Sequence, residues 1–165
     1  MIPVEEYLRT TYSPDREYRD GALVERSGGD REHSLLQTAL VAYFHNRRKQ
    51  WNIEVFSELR IRVRQDWYPI PDLCLFQQPA PTERFPSVPP LLWIEILSQD
   101  DVMLDVWSKA REVVAFGVPF VWIIDPTTLA SELFTRDSGP REVPGGTLRI
   151  PDSPIVGPLT DVIEE

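Results

Sequence analysis

One heptapeptide constrains this chain more than any other stretch: Leu91-Leu92-Trp93-Ile94-Glu95-Ile96-Leu97. Seven residues are short for a stable helix and ordinary for a strand, and all but one are apolar. A strand apolar on both parities belongs in the middle of a sheet that is covered on both faces. Glu95 then falls where an unpartnered carboxylate is costly or takes up a proton. It calls for a compensating lysine, arginine or metal cation, and acids in such places concentrate at functional sites. The plainer alternatives are a structural ion pair with an arginine, or a strand end that reaches solvent.

The segments around it alternate between helix and strand. Residues 4–8 read as a short helix or turn. Residues 18–26 read as a hairpin turning at Asp20-Gly21, a dipeptide that favours tight turns. A helix follows with Asp30 as N-cap and Leu36, Leu40 and Phe44 on its apolar stripe, flanked by Ala39 and Tyr43. Basic residues within 46–49 suit its C-terminus. Residues 53–64 alternate over their whole length, with Val55, Leu59, Ile61 and Val63 facing one way and Arg60, Arg62 and Arg64 the other, which predicts a half-exposed strand. Residues 70–76 predict a second strand. Residues 105–116 predict a helix, with Ser98-Gln99-Asp100-Asp101 as its turn and N-cap and Gly117 as the residue after it. Residues 120–124 and 131–135 predict two more strands. The proline-rich end should return along the surface or a sheet edge.

The sixteen prolines outnumber the eight glycines and cluster at 69–71, 79–90 and 140–158. They punctuate the chain and form no interdomain linker. The expectation is one domain over residues 1–165, of α/β (α+β) class, with a mixed β-sheet flanked by α-helices.

Composition removes several function classes. At 42% hydrophobic and 26% charged residues, the chain is not of disordered type. No apolar run approaches the ~18 residues that a membrane span requires. A lone cysteine, Cys74, excludes a disulfide framework and a cysteine-rich zinc site. The first residues, Met-Ile-Pro-Val-Glu-Glu, carry neither a basic head nor an apolar signal core, so a soluble cytoplasmic protein is expected. The net charge of −9 argues against a protein that coats nucleic acid. It does not exclude a nuclease, whose site gathers carboxylates that a divalent metal offsets locally.

The chain carries no glycine-rich phosphate loop, no HExxH, no nucleophile elbow and no CxxC pair. His33 and His45 are twelve apart, which is not a same-face metal spacing. Candidates besides Glu95 are weaker one by one. Asp72 follows Pro69-Ile70-Pro71 at the entry to an apolar strand, and alone it reads as a turn-capping acid. Lys109 lies four residues after Asp105, and on spacing alone the two read as a surface helical ion pair. His33 stands at the start of the first long helix, where a satisfied boundary histidine is the commoner outcome. Glu25, Glu32 and Glu58 read as solvated acids. The Arg60, Arg62 and Arg64 row could touch phosphates, but such a row is more often the wet face of a strand.

Taken in order, these pieces resemble a known family. They are the Asp20-Gly21-Ala22-Leu23-Val24-Glu25 hairpin, a helix opening with His33, Pro71-Asp72, and Trp93-Ile94-Glu95-Ile96-Leu97-Ser98. After them come Asp105-x-x-x-Lys109 and Gly117-Val118-Pro119-Phe120-Val121-Trp122-Ile123-Ile124-Asp125-Pro126. The chain resembles, over roughly residues 4–160, the Uma-two family of endonucleases within the PD-(D/E)xK, restriction-endonuclease-like superfamily. The resemblance implies that core fold, and that Asp72 and Glu95 bind Mg²⁺ or Mn²⁺ with the main-chain carbonyl of Ile96 as a further ligand. The common superfamily pattern places a lysine two positions after the acid, where this chain has Leu97. The Uma-two pattern places it on the next helix, where Lys109 matches. His33 matches a recurrent polar position, and Glu58 is a further candidate carboxylate. The chain departs from the pattern at Ser98-Gln99, where Ser-Pro is usual, and at Ala115-Phe116, where a tyrosine usually precedes the Gly-Val turn.

The implied chemistry is metal-dependent hydrolysis of DNA phosphodiesters by a metal-activated water, with Lys109 orienting that water or stabilising the transition state. A homodimer is expected to pair two sites on a duplex. Two rivals stand beside it: a catalytically inactive module of the same fold that binds DNA or protein, and a hydrolase of small phosphodiesters.

Overall fold

The computed structural model describes residues 1–26 and 29–165. It opens with a short helix, α1 (Val4–Arg9), and a hairpin of β1 (Arg16–Arg19) and β2 (Ala22–Glu25). Asp20 and Gly21 turn the hairpin with φ of 51° and 85°, the left-handed pair that an Asp-Gly turn supplies. Helix α2 (Arg31–Asn46) follows, then the single turn α3 (Arg48–Trp51), β3 (Ile53–Ser57), β4 (Trp67–Tyr68), β5 (Leu73–Gln77) and β6 (Leu92–Ile96). Helix α4 (Met103–Phe116) leads to β7 (Phe120–Ile124), β8 (Ser131–Thr135) and β9 (Ser138–Glu142). The chain ends in β10 (Thr147–Arg149), β11 (Val156–Pro158) and α5 (Leu159–Glu164).

The main sheet has six strands in the order β3-β5-β6-β7-β8-β9. Only β6 and β7 run parallel, and α4 is the crossover between them. Residues 91–97 therefore lie in the middle of the sheet, as their composition requires. Alternation sorts the side chains. Leu73, Leu75, Leu92, Ile94, Ile96, Trp122 and Ile124 pack on one face with Leu36, Leu40 and Phe44 of α2. Cys74, Phe76, Trp93, Val121 and Ile123 pack on the other with Ala110 and Val113 of α4. The mixed sheet between helices is the expected fold class.

A second sheet, β2-β1-β4, stands apart on its own aromatic cluster. Tyr7 stacks on Tyr18 with ring centroids 5.0 Å apart, and Tyr68 closes the group. The Tyr7 hydroxyl donates to the Arg16 carbonyl at 2.6 Å and accepts from Arg60 Nε at 2.8 Å.

Three local expectations are corrected. The strand predicted over 53–64 stops at Ser57, because Glu58 takes φ of 50° and its N–H turns to the Asp72 carbonyl. Beyond that break the arginines do not form a free ridge: Arg60 pairs with Asp15, and Arg64 pairs with Asp66 and Asp20. Helix α4 starts at Met103 with Val102 as an uncapped N-cap, and Asp101 instead accepts the Ser98 N–H at 2.8 Å. The proline-rich end does reach the sheet edge through β9, but it is not merely superficial. Leu148, Ile150, Ile155, Leu159 and Val162 are buried in the α2-side core.

Candidate active site

Strands β5 and β6 run antiparallel with Leu73 opposite Ile94 and Cys74 opposite Trp93. One step further along that register sets Asp72 opposite Glu95. Both then fall at the end of the sheet where β6 finishes and β5 begins, Glu95 toward Lys109 of α4 and Asp72 toward Arg26 and His33. Across from them α4 presents Lys109, one position before its buried Ala110. The hairpin and the start of α2 bring Glu17, Arg26 and His33. Together these line a cavity of about 310 Å³.

Asp72 is 4% exposed and fully engaged. Its Oδ2 accepts the Ile96 N–H at 2.7 Å, and its Oδ1 lies 3.1 Å from Arg26 Nη2 and 3.3 Å from His33 Nε2. The hydrogen bond to Asp72 is the main reason that the His33 imidazolium is favoured above its ordinary range. Arg26 extends the group, donating from Nη1 to Glu58 at 2.6 Å and from Nη2 to the Ile70 carbonyl at 3.3 Å. Burial disfavours its charge, but the Asp72 and Glu95 carboxylates outweigh that.

Glu95 Oε1 accepts from the Trp93 indole at 2.8 Å and lies 3.2 Å from Lys109 Nζ. Burial pushes the Glu95 carboxyl up to about 7; Lys109 pulls against this, and the Asp72 and Glu17 carboxylates add to it. Lys109 Nζ is closer to Glu17 Oε1, at 2.8 Å. Burial disfavours its charge, yet Glu17 and Glu95 hold the ammonium well above its ordinary range.

A family model named Uma2 and described as "Putative restriction endonuclease" matches residues 4–158. The chain belongs to the Uma2 family. A solved structure with a similar fold is a crystal structure described as "a putative nuclease belonging to DUF820 from Anabaena variabilis ATCC 29413". Its TM-score is 0.83 at 22% sequence identity, over 99% of this chain and 98% of that chain, a likeness of fold. No curated protein matches the chain.

In this Uma2 chain the three residues that carried the sequence argument share one cavity, with His33 and Ile96 beside them. Ile96 meets Asp72 through its N–H. Lys109 pairs with Glu17 and Glu95 and not with Asp105, so the surface helical pair gives way to a half-buried one. Glu58 serves Arg26 from outside the cavity lining. Glu25 lines the cavity but is solvated, 3.6 Å from Arg16, and the half-exposed Glu32 pairs with Arg31. Sequence reasoning missed Glu17, Arg26 and Trp93. Trp93 was accessible in principle, because residues two apart on a strand share a face. Glu17 and Arg26 had no local signal.

The donor set fits a hard divalent cation. Mg²⁺ takes oxygen ligands, keeps several waters and uses one or two protein carboxylates. Asp72, Glu95 and the Ile96 carbonyl would be its oxygen donors here. Among the described residues no group of three His, Cys, Asp or Glu could hold a metal ion. A cation here would therefore rely on two carboxylates, backbone oxygen and water. None of the described helices is long and apolar enough to cross a membrane.

Proposed function

We propose that this chain is a Mg²⁺- or Mn²⁺-dependent endodeoxyribonuclease whose residues 1–165 act as one nuclease domain. The observation that carries the reading is the placement of Lys109 Nζ 3.2 Å from Glu95, in the cavity that Asp72 also lines, within a chain of the Uma2 family. Asp72 and Glu95 would hold the cation with the Ile96 carbonyl. Such a cation, when bound, supplies a more acidic water and offsets charge growing on the phosphate. Lys109 contributes a fixed ammonium for the developing phosphorane charge or for orienting the attacking water. His33 and Arg26 hold Asp72 in place from the other side. Arg26 Nη2 and His33 Nε2 already engage Asp72 Oδ1, so a cation on that oxygen shares it with them or displaces them. Cutting both strands of a duplex with two such sites would pair two copies of the chain, which sedimentation with and without DNA would read.

The test is nicking of supercoiled plasmid with Mg²⁺ or Mn²⁺, with a chelator as control. Asp72→Asn, Glu95→Gln and Lys109→Met should each lower cleavage by about 10²-fold or more while retaining a cooperative melt. Cleavage that survives chelation, or three variants as active as the parent, overturns the proposal. A chromogenic phosphodiester assayed alongside separates DNA from small-ester hydrolysis.

A further inference from the structure

We infer that Glu17 is a positioning residue: it fixes the Lys109 ammonium in the cavity, and the small three-stranded sheet carries it there. Glu17 sits on β1, outside the sheet that bears Glu95, and is 8% exposed. Consecutive residues on a strand face opposite ways. Here both are buried, Tyr18 into the aromatic cluster and Glu17 into the cavity. Its Oε1 accepts from Lys109 Nζ at 2.8 Å and from the Ile70 N–H at 2.9 Å. The backbone bond is what distinguishes the arrangement from a surface ion pair, for it holds the carboxylate by a contact that does not depend on the lysine. A lysine side chain has four flexible torsions and a spherical charge, so it takes its place from its partners. Of the two carboxylates at Lys109, Glu17 is the nearer, and Glu95 at 3.2 Å is also bonded to Trp93. Without Glu17 the ammonium would be held from one side only, by a residue that the reaction itself employs.

The catalytic half of this inference rests on the nuclease reading; the positioning half does not. The chain contains two lysines, Lys109 and the exposed Lys49, so side-chain ammonium signals in ¹⁵N NMR are assigned by one Lys49→Arg variant. Lys109 should give a slowly exchanging ammonium signal. That signal should exchange about tenfold faster in Glu17→Asp and vanish in Glu17→Gln, which keeps an acceptor for Ile70 but loses the charge. No slow signal in the parent, or the same signal in both variants, overturns the positioning role. If Glu17→Gln does not fold, Glu17→Asp decides alone. In cleavage assays Glu17→Gln should lower kcat by about 10²-fold with KM for DNA within about twofold, since a misplaced catalytic group affects the chemical step. In a Lys109→Met background it should add nothing further. A full additional loss there would mean that Glu17 acts by another route. If the parent cleaves nothing under any metal, the nuclease reading falls and the NMR comparison still decides the placement.

Discussion

The two faces of strand β6 differ by one residue and do different work. Leu92, Ile94 and Ile96 point toward α2 into a largely apolar packing, each at 3% exposure or less. Trp93 and Glu95 point toward α4, and there the apolar surface runs out into carboxylates, an ammonium and a guanidinium. The first face carries stability, since every buried side chain on it adds transfer and contact energy. The second gives stability up, because a carboxylate pushed to about 7 is one that the fold disfavours in its charged form. Fold and site thus share a strand by alternating along it. Substitutions on the two faces should accordingly have opposite signs.

Trp122 gives the largest expected effect. It is fully buried on the α2 face, and its indole N–H has no partner among the described residues. Trp122→Ala should cost about 3–5 kcal/mol and lower Tm by roughly 10 °C, with cleavage per folded molecule unchanged in the cold. Trp122→Phe keeps much of the packing and removes the unpaired donor, so it should cost far less. Equal losses for the two would break the view of this face as dry packing.

Glu95→Gln is next and should act in the other direction. In the metal-free protein the folded pKa of Glu95, about 7, lies above its ordinary value. The folded state therefore binds the extra proton, and stability from this group declines as pH rises between the ordinary carboxylate range and about 7. Above that window the charged Glu95 destabilises the fold by something on the order of 3 kcal/mol. Glu95→Gln should flatten the slope and raise Tm at pH 8 by several degrees in the presence of a chelator, while abolishing cleavage. A variant that melts lower at pH 8 would show that the Lys109 pair outweighs burial.

Much of the fold, and Glu95 in the candidate site, were legible because they rest on local rules. An apolar heptapeptide with one acid is a buried strand with a charge to explain, whatever surrounds it. Asp72 and Lys109 alone read as a turn-capping acid and a surface helical pair, and entered the candidate site only through the family resemblance. The strand predicted over 53–64 failed because period-two alternation says nothing about a left-handed residue such as Glu58. Prolines in 140–158 suggested surface and hid the spaced Leu148, Ile150, Ile155 and Leu159, which supply core. Glu17 and Arg26 were invisible for a different reason. Their meaning depends on where a separate small sheet docks, and nothing local in residues 16–26 encodes that Lys109 and Asp72 stand opposite.

The smallest effect tests the point where the two faces meet. Helix α2 packs Leu36, Leu40 and Phe44 on the dry side, yet its first turn carries His33 to Asp72. Asp30 caps that turn, accepting the His33 N–H at 2.9 Å on its side chain. Asp30→Ala should cost about 1 kcal/mol, seen as a Tm lower by roughly 2–4 °C. The loss should stay confined to the first turn, because the remaining three turns are held by packing and not by the cap. Amide exchange should then quicken at residues 31–34 and remain slow at Leu40 and Phe44. Exchange that quickens along the whole helix would mean that the cap supports the core itself, and the separation between the two faces would be weaker than their packing implies.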